Sequence, residues 1–537
     1  MTGMNADIEQ WQVGKRAVHD ADGMVAAQHH LAARAGADLL ARGGNAVDAA
    51  VAAALALGAV EPWMCGLGGS GLMVVWLAEQ RRAITLDFQG VLSRHVAAED
   101  YPVDAGAPLT LMGFPTVQGE ANVAGYRSIT VPGAAAGFDH ALSRWGTLEL
   151  AAVAQPAITL AEHGVHSDWF TTLQSALAMG VIERDPTSAS IYLPGGQPIA
   201  PEQRLLIPGL ASTLRRFADT GAEGFYRGAL ARDLVSDLQN GGSRIDASDL
   251  AGYTVQEAEA IQAGHRGAVV HTLGDTSGGT RLRDFLGHVS SALPTPPPAP
   301  TPATWGVYAA ALDRAWRAHN RRIGRVTEQG SCTSHLSTVD AHGNMVALTH
   351  TLLNRFGAGV TLPLSGLLMN NAVSYFDPRS DRPVSLAPAR RIDASNMCPT
   401  IVTREQRALL ALGASGGNHI VPAVAQVTAL MLDFDLSLEQ AMNHARLDAS
   451  DRGSVRCDPA LGEAVLSHLA ERHTLEIAQR LTFPKLYASP SAVAVHGSGY
   501  VGLNDPSQPI GGASGPQPMP APAPAAHDDP GTTAVRA

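Results

Sequence analysis

Short apolar stretches alternate with glycine-rich and polar turns along the chain, and their periodicity predicts both strands and helices. Near the N terminus, residues 24–27 predict a strand, and residues 29–41 predict a helix that ends at a pair of glycines. Asn45 stands where it can cap the next helix, residues 47–57, in which apolar residues cover every face. That helix is therefore expected to be buried between layers, and residues 72–77 predict the strand that follows it.

The middle of the chain is predicted to be mainly helical. Between residues 133 and 221 the helical pattern is interrupted only by glycine and proline. Residues 268–273 predict a strand, and residues 303–321 a further helix. The stretch 294–302 contains six prolines and no charge, so we predict an exposed linker there.

Hydroxyl groups crowd the front of a predicted hairpin that begins near Thr333. Residues 336–339 predict a strand, residues 342–344 a turn and residues 345–348 the return strand. A threonine is a poor nucleophile at its free pKa, but as the first residue of a chain it has its own α-amine, with a pKa of about 7.7 to 8, to take the hydroxyl proton. Thr333 lies inside the sequence, so this chemistry requires cleavage of the Cys332–Thr333 bond.

These residues resemble the γ-glutamyltranspeptidase family of N-terminal-nucleophile hydrolases, whose proenzymes cut themselves before a Thr-[Ser/Thr]-His sequence. Thr333-Ser334-His335, the turn, Thr351 and Phe356-Gly357-Ala358-Gly359 follow that family's order and spacing. Other blocks that resemble family blocks, in family order, are Gly43-Gly44-Asn45, Val60-Glu61-Pro62, Gly66-Leu67-Gly68-Gly69, Val131-Pro132-Gly133, residues 224–228, Ser277-Gly278-Gly279, Asn370-Asn371, Pro399-Thr400 and Gly416-Gly417. The resemblance covers about residues 23–501 and implies an α+β fold, the four-layer αββα sandwich.

The resemblance also implies how the chain is divided. Self-cleavage at Cys332–Thr333 would leave two pieces that stay together as a heterodimer. We expect an N-terminal extension at residues 1–22, a large subunit at 23–332 and a small subunit at 333–505. Residues 506–537, rich in proline, alanine and glycine, are predicted to be a disordered tail.

Four residues receive roles at the reacting centre from the resemblance. Thr333 is the expected nucleophile with its freed amine as general base, and Thr351 is the expected hydrogen-bond partner of its hydroxyl. The backbone N–H groups of Gly416 and Gly417 are expected to face the developing oxyanion, because glycine permits the φ values that aim two successive N–H groups at one point. From the pattern alone, Thr351 is equally well a strand residue. The two glycines also fit the turn before a helix, which is compatible with the role in oxyanion binding.

The positions that bind the acyl group depart from the family. Enzymes specific for γ-glutamyl groups hold the α-carboxylate with an arginine where this chain has Gln89, and they use an asparagine where it has Leu353. The groups that hold the α-amine are replaced by Ala372 and Tyr375. Burying a carboxylate or an ammonium without its counter-charge costs on the order of several kcal/mol. We therefore predict that γ-glutamyl donors are not favoured.

Two further positions resemble a pocket-lining block of the family. Residues 395–400 correspond to the family's Ser-Ser-Met-Ser-Pro-Thr block, with Ser395 retained and Asn396 in place of the second serine. Asn396 can still donate and accept hydrogen bonds, so this change is mild.

The sequence thus predicts a self-cleaving amidohydrolase or acylase that forms an acyl-enzyme on an N-terminal threonine. Its acyl group is expected to be uncharged or weakly polar, with water or an amine as acceptor and no cofactor. Two alternatives stay open. One is a true γ-glutamyl hydrolase or transpeptidase acting on glutathione, with Gln89 as a neutral donor. The other is an unprocessed, non-catalytic homologue that acts as a binding protein.

Composition and charge limit the classes of binding partner and the cellular location that we expect for this protein. Lys and Arg number 38 against 49 Asp and Glu, a net charge of −11, and no basic run is present, which argues against nucleic acid and favours a small-molecule or peptide amide. The four cysteines are far apart and form no CxxC pair, so neither a disulfide framework nor a zinc ribbon is indicated. The first twenty residues have no apolar run typical of a secretory signal, and no stretch is long enough for a bilayer. We therefore expect the protein to be cytoplasmic rather than periplasmic, and we expect it to have no membrane partner.

Other candidate motifs are weaker. The glycine-rich loop 66–71 precedes a strand, whereas a dinucleotide-binding loop follows a strand and opens a helix, so nucleotide binding is not favoured. The clustered histidines lack the spacing of a metal site, and His335 is expected to pack and hydrogen-bond beside the nucleophile. Trp63 and Met64 are equally consistent with the core and with a pocket wall.

Overall fold

A computed structural model describes residues 13–324, 333–450 and 453–516. Cys332, on one side of the predicted cleavage site, lies outside the described residues. The helices are α1 His30–Ala41, α2 Ala46–Val60, α3 Ala134–Trp145, α4 Leu150–His163, α5 Trp169–Leu177, α6 Met179–Ile182, α7 Pro186–Tyr192, α8 Leu210–Tyr226, α9 Ala229–Asn240, α10 Ala247–Ala251, α11 Gly279–Ala292, α12 Pro302–Ile323, α13 Ile420–Phe434, α14 Leu438–Asn443 and α15 Glu463–Ala470. The strands are β1 Val18–Asp20, β2 Gly23–Ala27, β3 Ser70–Leu77, β4 Arg82–Phe88, β5 Val165–His166, β6 Arg204–Leu205, β7 Gln256–Glu259, β8 Ile261–His265, β9 Ala268–Thr272, β10 Ser334–Asp340, β11 Met345–Thr351, β12 Thr400–Arg404, β13 Arg407–Ser415, β14 Leu447–Asp448, β15 Val455–Cys457, β16 Leu475–Ile477, β17 Ser489–His496, β18 Gly499–Asn504 and β19 Gly512–Ser514.

Two seven-stranded sheets, each antiparallel throughout, form the centre of the molecule. Their strand orders are β19-β2-β10-β11-β3-β4-β7 and β1-β18-β17-β13-β12-β9-β8. Buried side chains of both sheets, among them Trp76, Met345, Ile401 and Val493, pack in one cluster between them. Helices α1–α3 pack on the outer face of the first sheet, with α4 and α8 packed against these helices. Helices α11, α13 and α14 pack on the outer face of the second sheet, with α12 packed against α11. The predicted four-layer αββα sandwich is therefore confirmed.

Helix α2 lies inside this arrangement for the reason that its composition indicated. Fourteen of its fifteen residues are buried. Its N terminus is closed by a capping box, in which the Asn45 side chain accepts hydrogen bonds from the backbone N–H groups of Val47 and Asp48 and the Asp48 carboxylate accepts one from Asn45 N. The cap and the apolar faces together place the C-terminal end of α2, and Glu61 after it, beneath the hairpin.

The predicted hairpin forms the middle of the first sheet. β10 pairs with β2 and β11 pairs with β3, so both of its strands are internal. The turn is closed by Asp340 Oδ1, which accepts hydrogen bonds from the backbone N–H groups of His342 and Asn344. Both strands are longer than predicted. β10 begins at Ser334, which pairs with His350 of β11, and β11 reaches Thr351, which pairs with Ser70 of β3.

Both ends of the described chain differ from the sequence expectation. β1 lies within the predicted N-terminal extension and pairs with β18. Residues 506–516 belong to the fold instead of a tail: β19 pairs with β2, and Ser507 and Gln508 are buried. This strand joins the sheet edge through backbone groups, which leave little trace in a Gly-Ala-Ser sequence. Residues 517–537 lie outside the described part of the chain.

Among the helices that the structure describes, none combines the length and apolar character needed to cross a bilayer.

Candidate active site

Thr333 and Thr351 come together at the open end of the hairpin. The antiparallel register pairs Ser334 with His350, so the next facing position joins Thr333 to Thr351. Both are buried, at 2% and 1% exposure. Thr351 Oγ1 accepts a hydrogen bond from Leu353 N at 2.8 Å, which orients this hydroxyl.

His335 joins the hairpin to the second sheet. Its ring lies against Gly413 of β13, where a Cβ atom would stand 2.2 Å from the ring, so only glycine fits. Its Nδ1 contacts Thr349 Oγ1 at 2.8 Å and its Nε2 contacts Ser337 Oγ at 3.0 Å. Burial lowers the pKa of His335 to about 3, so the ring is neutral at pH 7. His335 thus packs and hydrogen-bonds as predicted, and its contact brings the end of β13 to the start of the hairpin.

The Gly416-Gly417 turn follows β13 directly. Gly416 has φ +139° and Gly417 has φ +58°, values that side chains rarely allow. A Cβ on Gly416 would also stand 2.7 Å from Ala488 Cα. The turn leads through one 3₁₀ turn into α13, so its N–H groups lie at the positive end of a helix. This conformation suits the binding of a developing negative charge.

Side chains from distant parts of the sequence hold this turn. Asn396 Nδ2 donates to Asn418 Oδ1 at 2.8 Å, and Arg281 Nη1 donates to Asn396 Oδ1 at 2.7 Å. His419 Nδ1 lies 2.7 Å from Asp448 Oδ2. Burial opposes ionisation of Asp448, but the adjacent His419 lowers the pKa of this carboxyl to about 2. Sequence reasoning found Asn396 and missed Arg281, His419 and Asp448, because no motif spacing connects them.

Glu61 is a buried carboxyl group directly beneath the start of the hairpin. Its Oε2 accepts a hydrogen bond from Ser334 Oγ at 2.8 Å, and its Oε1 accepts one from Gln508 Nε2 at 3.2 Å. Burial raises the pKa of Glu61 to about 7, against the opposing effects of Ser334 and the Lys485 charge. The sequence marked Glu61 only as part of a family-like block, since its partners lie 273 and 447 residues away.

The side chains at the positions that differ from the γ-glutamyl-binding pattern are buried inside the protein. Leu353, Ala372 and Tyr375 are buried and belong to one apolar cluster. The Gln89 side chain is fully buried, and its Nε2 donates to Asp87 Oδ2 at 3.2 Å. The N–H₂ group of Gln89 is therefore engaged by the protein itself, whereas its Oε1 has no hydrogen-bond partner among the described residues.

Ser395 is tied to the same wall of the site. Its Oγ accepts a hydrogen bond from Met397 N at 3.0 Å, and its carbonyl oxygen accepts one from Arg281 Nη2 at 2.8 Å. Burial lowers the pKa of Arg281 to about 9. Ser395 and Asn396 thus share Arg281 as a donor, which makes this buried arginine part of the support of the turn.

A cavity of about 170 Å³ opens beside Gly416. Trp63 and Met64 line it and also belong to the buried core, so the core and the pocket interpretations of these two residues both hold. Phe170, Leu177 and Phe483 complete its apolar wall, and its polar lining includes Glu61, Arg355 and Lys485. The cavity therefore reaches from the predicted oxyanion turn to the molecular surface.

Known proteins resemble this chain in sequence and in architecture. The family model for gamma-glutamyltranspeptidase matches residues 32–292 and 302–514. The Acylase ACY 1 proenzyme of Pseudomonas sp. (strain SE83) is 31% identical over 498 residues, covering 85% of this chain and 88% of that protein. The Glutathione hydrolase proenzyme of Pseudomonas sp. (strain A14) is 31% identical over 483 residues, covering 79% of this chain and 81% of that protein. Among solved structures, the cephalosporin acylase from Bacillus halodurans has a TM-score of 0.82 at 23% identity over 95% of this chain and 99% of that chain, which supports the fold. The chain belongs to the γ-glutamyltranspeptidase family and is an enzyme of that family.

Proposed function

We propose that this enzyme is a self-processing amidohydrolase of the acylase type, with Thr333 as its nucleophile and water as its usual acceptor. The observation that carries the proposal is the facing of Thr333 and Thr351 at the hairpin end, next to the strand that leads into the Gly416-Gly417 turn. Similarity to relatives named acylase proenzymes supports it.

Self-processing supplies the general base. Thr333 Oγ1 attacks the carbonyl carbon of Cys332, the peptide C–N bond breaks, and the nitrogen takes the hydroxyl proton to become the α-amine of Thr333. Water then hydrolyses the ester that links the two pieces. The product has a threonine whose amine, with a pKa near 7.7 to 8 in its unperturbed form, is a suitable base at neutral pH.

Turnover repeats the same chemistry on the substrate. The α-amine takes the Thr333 hydroxyl proton as Oγ1 attacks the amide carbonyl carbon, and the N–H groups of Gly416 and Gly417 stabilise the oxyanion. The amine half leaves with that proton. Water, deprotonated by the α-amine, attacks the acyl ester and releases the acid, which restores the threonine.

Strand order supports a heterodimer of the two cleavage products. In the first sheet β2, β3, β4 and β7 precede the cleavage site in sequence, whereas β10, β11 and β19 follow it. Separating the products would break the pairing of β10 with β2 and of β11 with β3. The two chains are therefore expected to remain associated after processing.

The apolar character of the Leu353, Ala372 and Tyr375 cluster supports an uncharged acyl group. Hydrolysis of glutathione is the second candidate, favoured by the relative named Glutathione hydrolase proenzyme. Against it stands Gln89, whose donor group Nε2 is already bonded to Asp87 and therefore is not free to bind the α-carboxylate of a γ-glutamyl group.

The test compares two anilides with the processed enzyme. We expect kcat/KM for phenylacetyl-p-nitroanilide to exceed that for γ-glutamyl-p-nitroanilide by tenfold or more, and Thr333→Ala to hydrolyse neither. An equal or better rate with the γ-glutamyl compound would refute the acyl preference. Hydrolysis by Thr333→Ala equal to that of the wild type would refute the nucleophile.

A further inference from the structure

The cavity beside Gly416 has an apolar wall that continues onto the surface. Leu177 and Phe483 at its edge are 42% and 47% exposed, and Trp169, which packs against Phe170, is 47% exposed. A group of large exposed apolar side chains around one opening is typical of a binding site. The wall is therefore suited to an aromatic or branched apolar body.

Two cationic side chains line the same cavity. They are Arg355 and Lys485, and among the described residues of the lining Glu61 is the only one with a carboxyl group. Burial raises the pKa of Glu61 to about 7, so this carboxyl is only partly ionised near neutral pH. Arg355 Nε donates to Gln174 Oε1 at 2.5 Å, and no Asp or Glu in the described ranges forms an ion pair with its guanidinium.

The loop that carries Arg355 is held in a fixed form. Leu353 and Phe356 adopt φ values of +81° and +60°, which are unfavourable for residues with a side chain. Backbone hydrogen bonds from Leu352 N to Met64 O and from Phe356 N to Trp63 O tie the loop to the apolar wall. Arg355 is thus presented from a rigid segment that also forms part of the cavity.

We propose that this cavity binds the amine half of the amide substrate, and that this half carries an apolar body and a carboxylate-type anion that pairs with Arg355. The inference rests on the proposed function, because Gly416 belongs both to the cavity and to the oxyanion turn. The anion is assigned to the amine half because Leu353, Ala372 and Tyr375, at positions predicted to bind the acyl group, lie in one apolar cluster. A guanidinium beside an apolar wall matches such a ligand in both charge and shape.

The experiment uses the processed two-chain enzyme and three amides. N-phenylacetyl-4-aminobenzoate has its anion on the amine half, its 4-aminobenzamide analogue is neutral with a similarly electron-poor leaving group, and the anilide of 4-carboxyphenylacetic acid has its anion on the acyl half. The readout is kcat/KM, which reports the steps through acylation. The variants are Arg355→Gln and, as a matched control, Arg283→Gln on the exposed face of α11.

We expect the aminobenzoate to exceed its neutral analogue by tenfold or more in the wild type. Arg355→Gln should bring this ratio close to one, and Arg283→Gln should leave both values unchanged. The ratio is internal to each preparation, so incomplete folding of a variant does not alter it. Equal values for the two compounds in the wild type, an unaltered ratio in Arg355→Gln, or a preference for the acyl-half anion would overturn the inference. Failure to cleave any of the three, with the wild type indistinguishable from Thr333→Ala, would instead contradict the proposed function.

Discussion

Glu61 makes the stability of the fold depend on pH in a direction opposite to that of most carboxyl groups. The carboxyl is fully buried, and its pKa rises from 4.5 to about 7. Between these two pH values the folded protein keeps a proton that the unfolded chain has released, so stability falls as pH increases. The loss is absent below pH 4.5 and complete above pH 7. At about 1.4 kcal/mol for each pH unit, the difference amounts to about 3 kcal/mol.

Glu61→Gln should remove this loss. The new amide oxygen can accept from Ser334, and its new N–H₂ group can donate to Gln508 if that side chain turns its Oε1, which has no hydrogen-bond partner, toward residue 61. In the uncut Thr333→Ala background, we expect Glu61→Gln to be more stable than its parent by about 3 kcal/mol at pH 8 and by less than about 1 kcal/mol at pH 5. For a chain of this length the first figure corresponds to about 3 °C in Tm.

The assay is differential scanning calorimetry at the two pH values, with Glu223→Gln on the exposed end of α8 as the matched control. That substitution removes one charge from a solvated ion pair and should change stability by less than about 0.5 kcal/mol at either pH. An equal Tm difference between Glu61→Gln and its parent at pH 5 and pH 8 would refute the reasoning. Destabilisation at pH 8 would do the same, because it would mean that the ionised carboxylate is better accommodated than a neutral amide.

Three further changes test the support of the site. Gly413→Ala would place a Cβ 2.2 Å from the His335 ring, so we expect it to lower the free energy of unfolding in urea by about 1–3 kcal/mol. The control Gly287→Ala in α11, with no atom near the new Cβ, should be neutral or stabilising. Equal urea midpoints for the two variants would contradict this expectation. Gly416→Ala is expected to lower kcat about a hundredfold, because φ +139° cannot be kept, and a wild-type kcat would exclude the turn from oxyanion binding. Asp448→Asn removes the charge opposite the histidine of the turn, so kcat should fall about tenfold with KM little changed, and a change in KM alone would argue against positioning of the turn.

Local features of the fold were predictable from the sequence. The hairpin follows from alternating apolar residues around a polar turn, and the buried helix α2 follows from its Asn45 cap and its apolar faces. Each signal lies within a few residues of the element it specifies. The strand β19 was missed because residues 512–514 pair through their backbone and bring no large apolar side chain.

The environment of the site was much less predictable. The pKa of Glu61 depends on burial and on partners 273 and 447 residues away, and the His419–Asp448 pair joins positions 29 residues apart. The fit of His335 against Gly413 depends on how closely the two sheets approach. Distances of this kind arise from packing between layers, which no spacing in a single sequence records. Resemblance to a family identified the positions, and only the structure identified what surrounds them.

The central claim is that the chain cuts itself to expose Thr333 as an N terminus, and intact-mass measurement of the purified protein beside Thr333→Ala tests it most directly. The account predicts two chains for the wild type, of 332 and 205 residues, with the smaller one beginning Thr-Ser-His, and a single chain of 537 residues for the variant. A wild-type protein that stays a single uncut chain over days would contradict it, because the α-amine base would never form.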